Sequence, residues 1–573
     1  MKLNGIAASE GIGVGHIMVV VAGPNPIEPF IPEDVEAEVA RFDDALKGFI
    51  EDTEKMADEI EKSASEKEAG ILRGHAQLIQ DPFLLDQVRA DIRTGVCAES
   101  ATEKNMNNVI DMFNMTGDEL IMQRATDLAD IKSRMIMRLQ GIADINLATV
   151  PAGTIIVTED LTPSMTVGIT ADRVYGIITA KGGYTSHSAI LSRALEIPAV
   201  LSVPDIMTTV HDGDHAIVDG SEGEVILAPT AEKEALYEKR AEEFREMKRR
   251  LEAYRGKPSV TADGTHKEVV SNIGNPADGV IAKDDDAEGI GLFRTEFLYM
   301  NRPATPTEEE QFEAYKKVAE TFGTQPVIIR TLDVGGDKEI PYMNLPKEDN
   351  PFLGFRAVRY CLANPDMYKA QLRALLRAGA YGNIRIMVPM VTRVDEVRAV
   401  KALRDECVKE LTAEDKKFNP DVQIGIMVET PAAVMVADHL AKEADFFSIG
   451  TNDLTGYTMC ADRGNSDVAY LYTTYDPAVL RAIRRVCYCA REAGIMAGMC
   501  GEAAADPNLI PYLIGVGLDE FSVSHERVLS TRYHISLWSD EEAEQIARHA
   551  LELKSASEIK TYLSDMVKRR ITK

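Results

Sequence analysis

Between residues 268 and 522, eight short strand-like runs recur: EVVSNI (268–273), GIGLF (289–293), PVIIRTL (326–332), IRIMVP (384–389), IGIMVE (424–429), FFSIG (446–450), GIMAGM (494–499) and LDEFS (518–522). Most are separated by stretches long enough for a helix. Eight strands alternating with helices over about 250 residues point to an α/β fold of one kind, a TIM-type (β/α)8 barrel. Such a barrel carries its chemistry on the loops at the C-terminal ends of its strands. Arg294, Arg330, Glu429, Asn452, Asp453 and Cys500 all fall at or just after the ends of these runs. The spacing therefore predicts one site at that mouth.

Upstream the texture changes. Residues 1–30 read as short strands broken by Gly and Pro. From Pro32, the residues Val35, Val39, Phe42, Leu46, Phe49, Ile50, Met56 and Ile60 recur at spacings near three and four. That is the stripe of a long amphipathic helix. Helical texture continues to about Ile145, with a break at Asp81-Pro82. The runs TIIV (154–157), VYGII (174–178), HAIVDG (215–220) and EVILA (224–228) are again strand-like. The expectation is a compact α/β domain over 1–30 and 145–230, with a helical bundle inserted over 31–144. Residues 231–256, AEKEALYEKRAEEFREMKRRLEAYRG, are good helix formers with little apolar surface, and read as a solvated connecting helix. The barrel then takes 257–573.

Charge narrows the partners. The 573 residues hold 63 Lys+Arg against 92 Asp+Glu, a net charge of −29. That argues against nucleic acid or an anionic membrane as the main partner. An anionic substrate would need a site that locally reverses the field. The seven cysteines form no disulfide framework, and Cys487-x-Cys489 lacks the second pair a zinc site needs. The N-terminus has no signal-peptide pattern, and no apolar run reaches the ~18 residues of a membrane span. The expectation is a cytoplasmic protein with reduced thiols.

The sharpest short motif is GGYTSHSAILSR (182–193). It follows a strand-like run and continues as a helix, so His187 sits at a helix start, where amide groups and the dipole favour an anion. That suits a nucleophile that takes a phosphoryl group; a cap or a core histidine is the plain alternative. Arg294, Arg330, Arg356 and Arg463 lie at strand ends or in the loops after them. In so acidic a chain, four such arginines imply a strongly anionic ligand, since Arg forks grip phosphate and carboxylate. Glu429 and Asp453 end consecutive predicted strands. Two carboxylates without a His cluster suit Mg²⁺, or else they pair with the arginines. Cys500, in GMCGE, is either an inert small hydrophobe or, with glycines leaving its sulfur accessible, an acid or nucleophile.

These residues lie within a longer series: GIAAS near the start, GHAQLIQDP (74–82), DLTPS (160–164), GLFRTEF (291–297), RTLDVGGDK (330–338), NPFLGFRAVR (350–359), VPMV (388–391), GIMVETP (425–431), DFFSIGTNDLT (445–455), DRGN (462–465) and MCGE (499–502). With this series the chain resembles, end to end, the Enzyme I family of the bacterial phosphoenolpyruvate:sugar phosphotransferase system. The resemblance implies that a phosphoryl group passes from phosphoenolpyruvate to one histidine and then to the carrier protein HPr, the first step of sugar uptake. It makes His187 the phosphorylated residue and Glu429 and Asp453 the Mg²⁺ ligands. Arg294, Arg330, Arg356, Asn452 and Arg463 become the substrate clamp, supported by Lys338. Cys500 becomes the acid that protonates the enolate. The helical insertion becomes the HPr-docking surface, and the barrel joins a homodimer. A charged connecting helix fits a phosphohistidine domain that must swing between the barrel and HPr. Gly456 stands where the family usually has Gln, Ala505 where it has Gly, and LSVPDIM follows IPAV. A dikinase of the same superfamily would need a nucleotide-binding domain, which residues 1–150 are too short to supply. A non-catalytic signalling relative is separated by a pyruvate-release assay.

Overall fold

The computed structural model describes residues 1–573 apart from 21–22, 64–65, 115–118, 143–146, 148–149, 162–164, 166–168, 184–185, 301, 336–339, 344, 346, 463, 466 and 572–573. The chain divides into two compact units, Met1–Lys248 and Arg249–Lys573.

The first unit is built on a sheet of β1 (Lys2–Asn4), β2 (Ile6–Ser9), β3 (Ile12–Val20), β4 (Thr154–Thr158), β5 (Val174–Thr179), β6 (Ala199–Leu201), β7 (His215–Asp219) and β8 (Glu224–Leu227). Its order is β1-β8-β7-β3-β4-β5-β6-β2. The middle strands β3 to β6 run parallel, and antiparallel pairs close both edges. Every residue of β4 is buried. Ile156 and Ile177 pack on one face, Ile155, Val157 and Ile178 on the other. A strand covered on both faces is a continuous apolar run, which is why TIIV and VYGII stand out in the sequence. The three residues of β6 are too few to show a period, so patterning does not reveal that strand.

Between β3 and β4 the chain forms α1 (Val35–Ser63), α2 (Glu66–Leu78), α3 (Pro82–Arg93), α4 (Ala98–Asn114) and α5 (Glu119–Leu139). The stripe Val39, Phe42, Leu46 and Phe49 of α1 packs with Val88 and Ile92 of α3 and Leu128, Ile131 and Met135 of α5. The break at Asp81-Pro82 is a helix start. Asp81 caps α3 by accepting from the Leu84 amide at 3.0 Å, with Pro82 in the first turn. The charged run forms the helix Ala231–Glu252, whose only buried residue is Ala241.

The second unit is a closed parallel barrel of β9 (Glu268–Ile273), β10 (Ile290–Phe293), β11 (Pro326–Arg330), β12 (Asn383–Val388), β13 (Gln423–Val428), β14 (Phe446–Ile449), β15 (Met496–Met499) and β16 (Glu520–Val523). It closes where Glu520 of β16 pairs in register with Glu268 of β9. These are the eight runs of the sequence, with bounds shifted by no more than two residues. Leu292, Ile328, Met387, Met427, Phe446 and Cys500 fill the interior, and a larger layer packs the strands against the surrounding helices. The barrel is therefore a packed core, open to chemistry only at its loops. Among the described residues, no helix is long and apolar enough to cross a membrane. All seven cysteines are free thiols.

Candidate active site

Two arginines and a carboxylate form the centre of the barrel mouth. Arg330 ends β11 and is buried. Its Nη2 donates to Glu296 Oε1 at 2.5 Å, and its Nη1 lies 3.0 Å from Asp333 Oδ2. Arg356 approaches from a later loop. Its Nε and Nη2 donate to Asp333 Oδ1 at 3.1 and 2.9 Å, and Nη2 also reaches Oδ2 at 2.9 Å. Its Nη1 donates to the Tyr457 hydroxyl at 3.4 Å. The loop can close this tightly because Gly335 has φ +121°, and a Cβ there would stand 2.5 Å from the Arg356 Cβ. Burial opposes both positive charges, but Glu296, Asp333 and Glu429 around Arg330, and Asp333, Asp453 and Glu429 around Arg356, hold both guanidiniums above their ordinary pKa.

Glu429 directly follows β13 and is 1% exposed. Met390, in a left-handed conformation at φ 58°, donates its amide to Glu429 Oε1 at 2.6 Å. Oε2 faces Gly450, where a Cβ would come within 2.8 Å of it. Gly450 caps the helix Thr451–Met459, and Asp453 lies in the first turn of that helix with a side chain 30% exposed. Burial, then the neighbouring charges of Asp453 and Asp333, push the Glu429 carboxyl well above the ordinary range; Arg330 and Arg356 act in the opposite sense. The donor set suits a hard divalent cation. Two carboxylates stand close enough to repel each other, and among the described residues no cluster of three or more His, Cys, Asp or Glu forms a closed metal cage.

Cys500 follows β15 and is buried, not accessible as its glycine-rich context predicts; only 5% of it is exposed. The reason is tertiary. Gly501 packs on Thr451, whose Oγ1 would be 1.7 Å from a Cβ there, and the thiol turns into the barrel beside Leu292, Met427 and Phe446. Burial pushes it up to about 11, with the facing Ser448 hydroxyl and the charges of Arg330 and Arg294 pulling down and Glu429 pushing up. It therefore carries a proton at neutral pH. Asn272 locks the strand end, donating to the Cys500 carbonyl at 3.3 Å and accepting from Ser522 at 2.6 Å.

In the other unit, His187 opens the helix His187–Ala194. Ser186 caps it, accepting from the Ala189 amide at 3.3 Å. Behind it the Ser188 hydroxyl donates to Asp160, and the Leu161 amide donates to Ser188 at 3.2 Å. Gly182 needs its φ of +110°, and among the described residues a Cβ on Gly183 would meet nothing within 4 Å.

Sequence comparisons match this layout. Residues 248–538 match the family described as PEP-utilising enzyme, PEP-binding domain; 150–223 match its mobile domain and 4–124 its N-terminal domain. A phosphoenolpyruvate-protein phosphotransferase of a Bacillus species is 44% identical over 98% of this chain and 97% of its own. Proteins of the same name from Staphylococcus epidermidis and Bacillus subtilis are each 42% identical, covering 99% of this chain and 99% and 100% of their own. The chain belongs to the phosphoenolpyruvate-protein phosphotransferase family of PEP-utilising enzymes.

Of the residues singled out in the sequence of this family member, Arg330, Arg356, Glu429, Asp453 and Cys500 come together at the barrel mouth. Arg294 follows β10 and stands exposed there, its amide bonded to the Ile273 carbonyl at 3.0 Å. Asn452 is half-buried, its carbonyl accepting from the Tyr472 hydroxyl at 2.8 Å. Asp453 does not end a strand: β14 stops at Ile449 and Asp453 belongs to the helix that follows. Lys338 and Arg463 lie outside the described residues, as does the His187 side chain. Residue types and spacing did not single out Glu296, Asp333 or Tyr457. The first two stand two and three residues beyond Arg294 and Arg330, within GLFRTEF and RTLDVGGDK, and that proximity was the available signal.

Proposed function

We propose that this protein takes the phosphoryl group of phosphoenolpyruvate onto His187, releases pyruvate, and passes the group to a histidine of the carrier protein HPr, the first step of phosphotransferase sugar uptake. The observation that carries the reading is one barrel mouth holding buried cationic Arg330 and Arg356, two acidic oxygen donors and a protonated thiol, in a chain homologous end to end with proteins named for this reaction.

Phosphoryl transfer depends on positioning and on neutralising charge. Arg330 and Arg356, with Arg294, Asn452, Arg463 and Lys338, are assigned to the phosphate and carboxylate of the substrate. Glu429 and Asp453 are assigned to hold Mg²⁺, which when bound neutralises substrate oxygens. A His187 ring nitrogen attacks the phosphorus in line; its N–P bond forms as the P–O bond to the substrate C2 breaks. The enolate takes the Cys500 proton on C3 to become pyruvate, and the thiolate regains a proton from solvent. The apolar neighbours of Cys500 keep water from the reactive carbon.

In the same reading, 1–30 and 145–230 form the phosphohistidine domain, 31–144 docks HPr, 231–256 links, and 257–573 binds substrate and forms the homodimer. The net charge of −29 suits a carrier with a basic face. Exposed Met435, Tyr470 and Tyr488 offer apolar surface to a second copy. Seven free thiols suit the cytoplasm. Incubation with phosphoenolpyruvate labelled in its phosphate, followed by mapping of the acid-labile label, tests the assignment. Label on His187, chased onto HPr with pyruvate released, is the expected result; absence of pyruvate release rejects it.

A further inference from the structure

Asp333 is 2% exposed and pairs with both buried guanidiniums: it accepts from Arg356 at 2.9 and 3.1 Å, and its Oδ2 stands in an ion pair with Arg330 Nη1 at 3.0 Å. The other terminal nitrogen of Arg330 is taken by Glu296. Both arginines are therefore held by carboxylates almost closed to solvent, at 2% and 4% side-chain exposure. Close by stand the two carboxylates assigned to the cation. Arg356 Nη2 is already 3.7 Å from Asp453 Oδ2, and the charges of both arginines act on Glu429. A buried guanidinium does not stay unpaired. Without Asp333, Arg356 needs only a small shift to reach ~2.9 Å from Asp453, the distance of a charge-assisted hydrogen bond. It would then occupy an oxygen that a cation needs.

We propose that Asp333 is a positioning residue that holds Arg356 off Asp453, and so keeps the carboxylate pair of Asp453 and Glu429 open to a divalent cation. The inference rests on the assignment of Glu429 and Asp453 as cation ligands. It gives the RTLD segment two linked tasks: Arg330 faces the substrate, and Asp333, three residues on, sets the direction of Arg330 and Arg356 together.

The test is Mn²⁺ binding to the full-length protein without substrate, read by titration calorimetry or by the electron paramagnetic resonance signal of free Mn²⁺. Asp333→Asn keeps the shape and removes the charge; it should bind Mn²⁺ roughly tenfold or more weakly than wild type, the order seen when a group orienting metal ligands is lost. The double variant Asp333→Asn/Arg356→Gln removes the competing cation as well, and should recover most of the affinity. A merely structural Asp333 would not produce that recovery. Wild-type affinity in Asp333→Asn overturns the proposal, and so does a double variant as weak as the single one. If Asp333→Asn does not fold, the double variant decides alone: near-wild-type affinity supports the proposal and a tenfold loss overturns it. Glu429→Gln separates the two levels. Should it bind Mn²⁺ as tightly as wild type, the ligand assignment fails, and this inference with it.

Discussion

Met390 donates its backbone amide to Glu429 at 2.6 Å from a left-handed conformation with φ 58°. A non-glycine residue in that region costs on the order of 1–3 kcal/mol, and such strain gathers at sites where geometry matters more than stability. Here it aims an amide at a carboxylate that also faces the charge of Asp453.

This arrangement makes Glu429→Gln an informative variant. The new side-chain oxygen still accepts from Met390, so the loop should keep its shape while the charge disappears. Phosphorylation by phosphoenolpyruvate should fall by about two orders of magnitude, the effect of losing a charge-stabilising group. Initial rates across a Mg²⁺ series check this; near-wild-type turnover at low Mg²⁺ would remove Glu429 from the ligand set.

The cap of the His187 helix comes from Ser186 and the amide of Ala189. His187→Ala should therefore leave the helix start intact and abolish acid-labile labelling. A stable label on any other of the ten histidines would sink the assignment.

Cys500→Ala should slow pyruvate formation by roughly 10²–10⁴, the usual range for general acid catalysis. Transfer from pre-formed phosphohistidine to HPr should stay nearly normal. Because burial lifts the thiol to about 11, the proton donor is present at neutral pH and is lost only as pH rises through that value. A rate limit from an ionising thiol should thus be absent near neutrality. A block in the HPr half-reaction would assign Cys500 a different task.

At the opposite end of the barrel, Glu520 opens β16, paired in register with Glu268, and neither of its carboxylate oxygens has a hydrogen-bond partner among the described residues. Burial, then the charge of Glu268, lifts the carboxyl from 4.5 to about 8; Arg385 opposes and Asp519 adds to the shift. The folded protein holds a proton that the unfolded chain releases between those values, so this group lowers stability as pH rises from 4.5 to about 8. Glu520→Gln cannot ionise. Its melting-temperature advantage over wild type should widen across that window and level off above it. An advantage equal at about pH 5 and about pH 9 would mean that Glu520 does not titrate there.

Much of this architecture is legible in the residues. Strands buried on both faces, such as TIIV and IGIMVE, are continuous apolar runs whatever surrounds them, so periodicity and length locate them. The α1 stripe and the Asp81-Pro82 start of α3 are equally local. Spacing also puts Arg330, Glu429 and Cys500 at one mouth, because a parallel barrel turns every strand end the same way.

What the chain alone determined is therefore which elements form and which end of the barrel carries the reactive side chains, since backbone alternation and capping act within a few residues. The tertiary structure decided the rest. It buried Cys500 behind Gly501 and Thr451, moved Asp453 from a strand end onto a helix turn, and paired Arg356 with Asp333 across 23 residues. Charge pairing inside a closed mouth depends on separations of a few ångströms in a medium of low dielectric, and barrel closure sets those separations; no spacing along the chain encodes them.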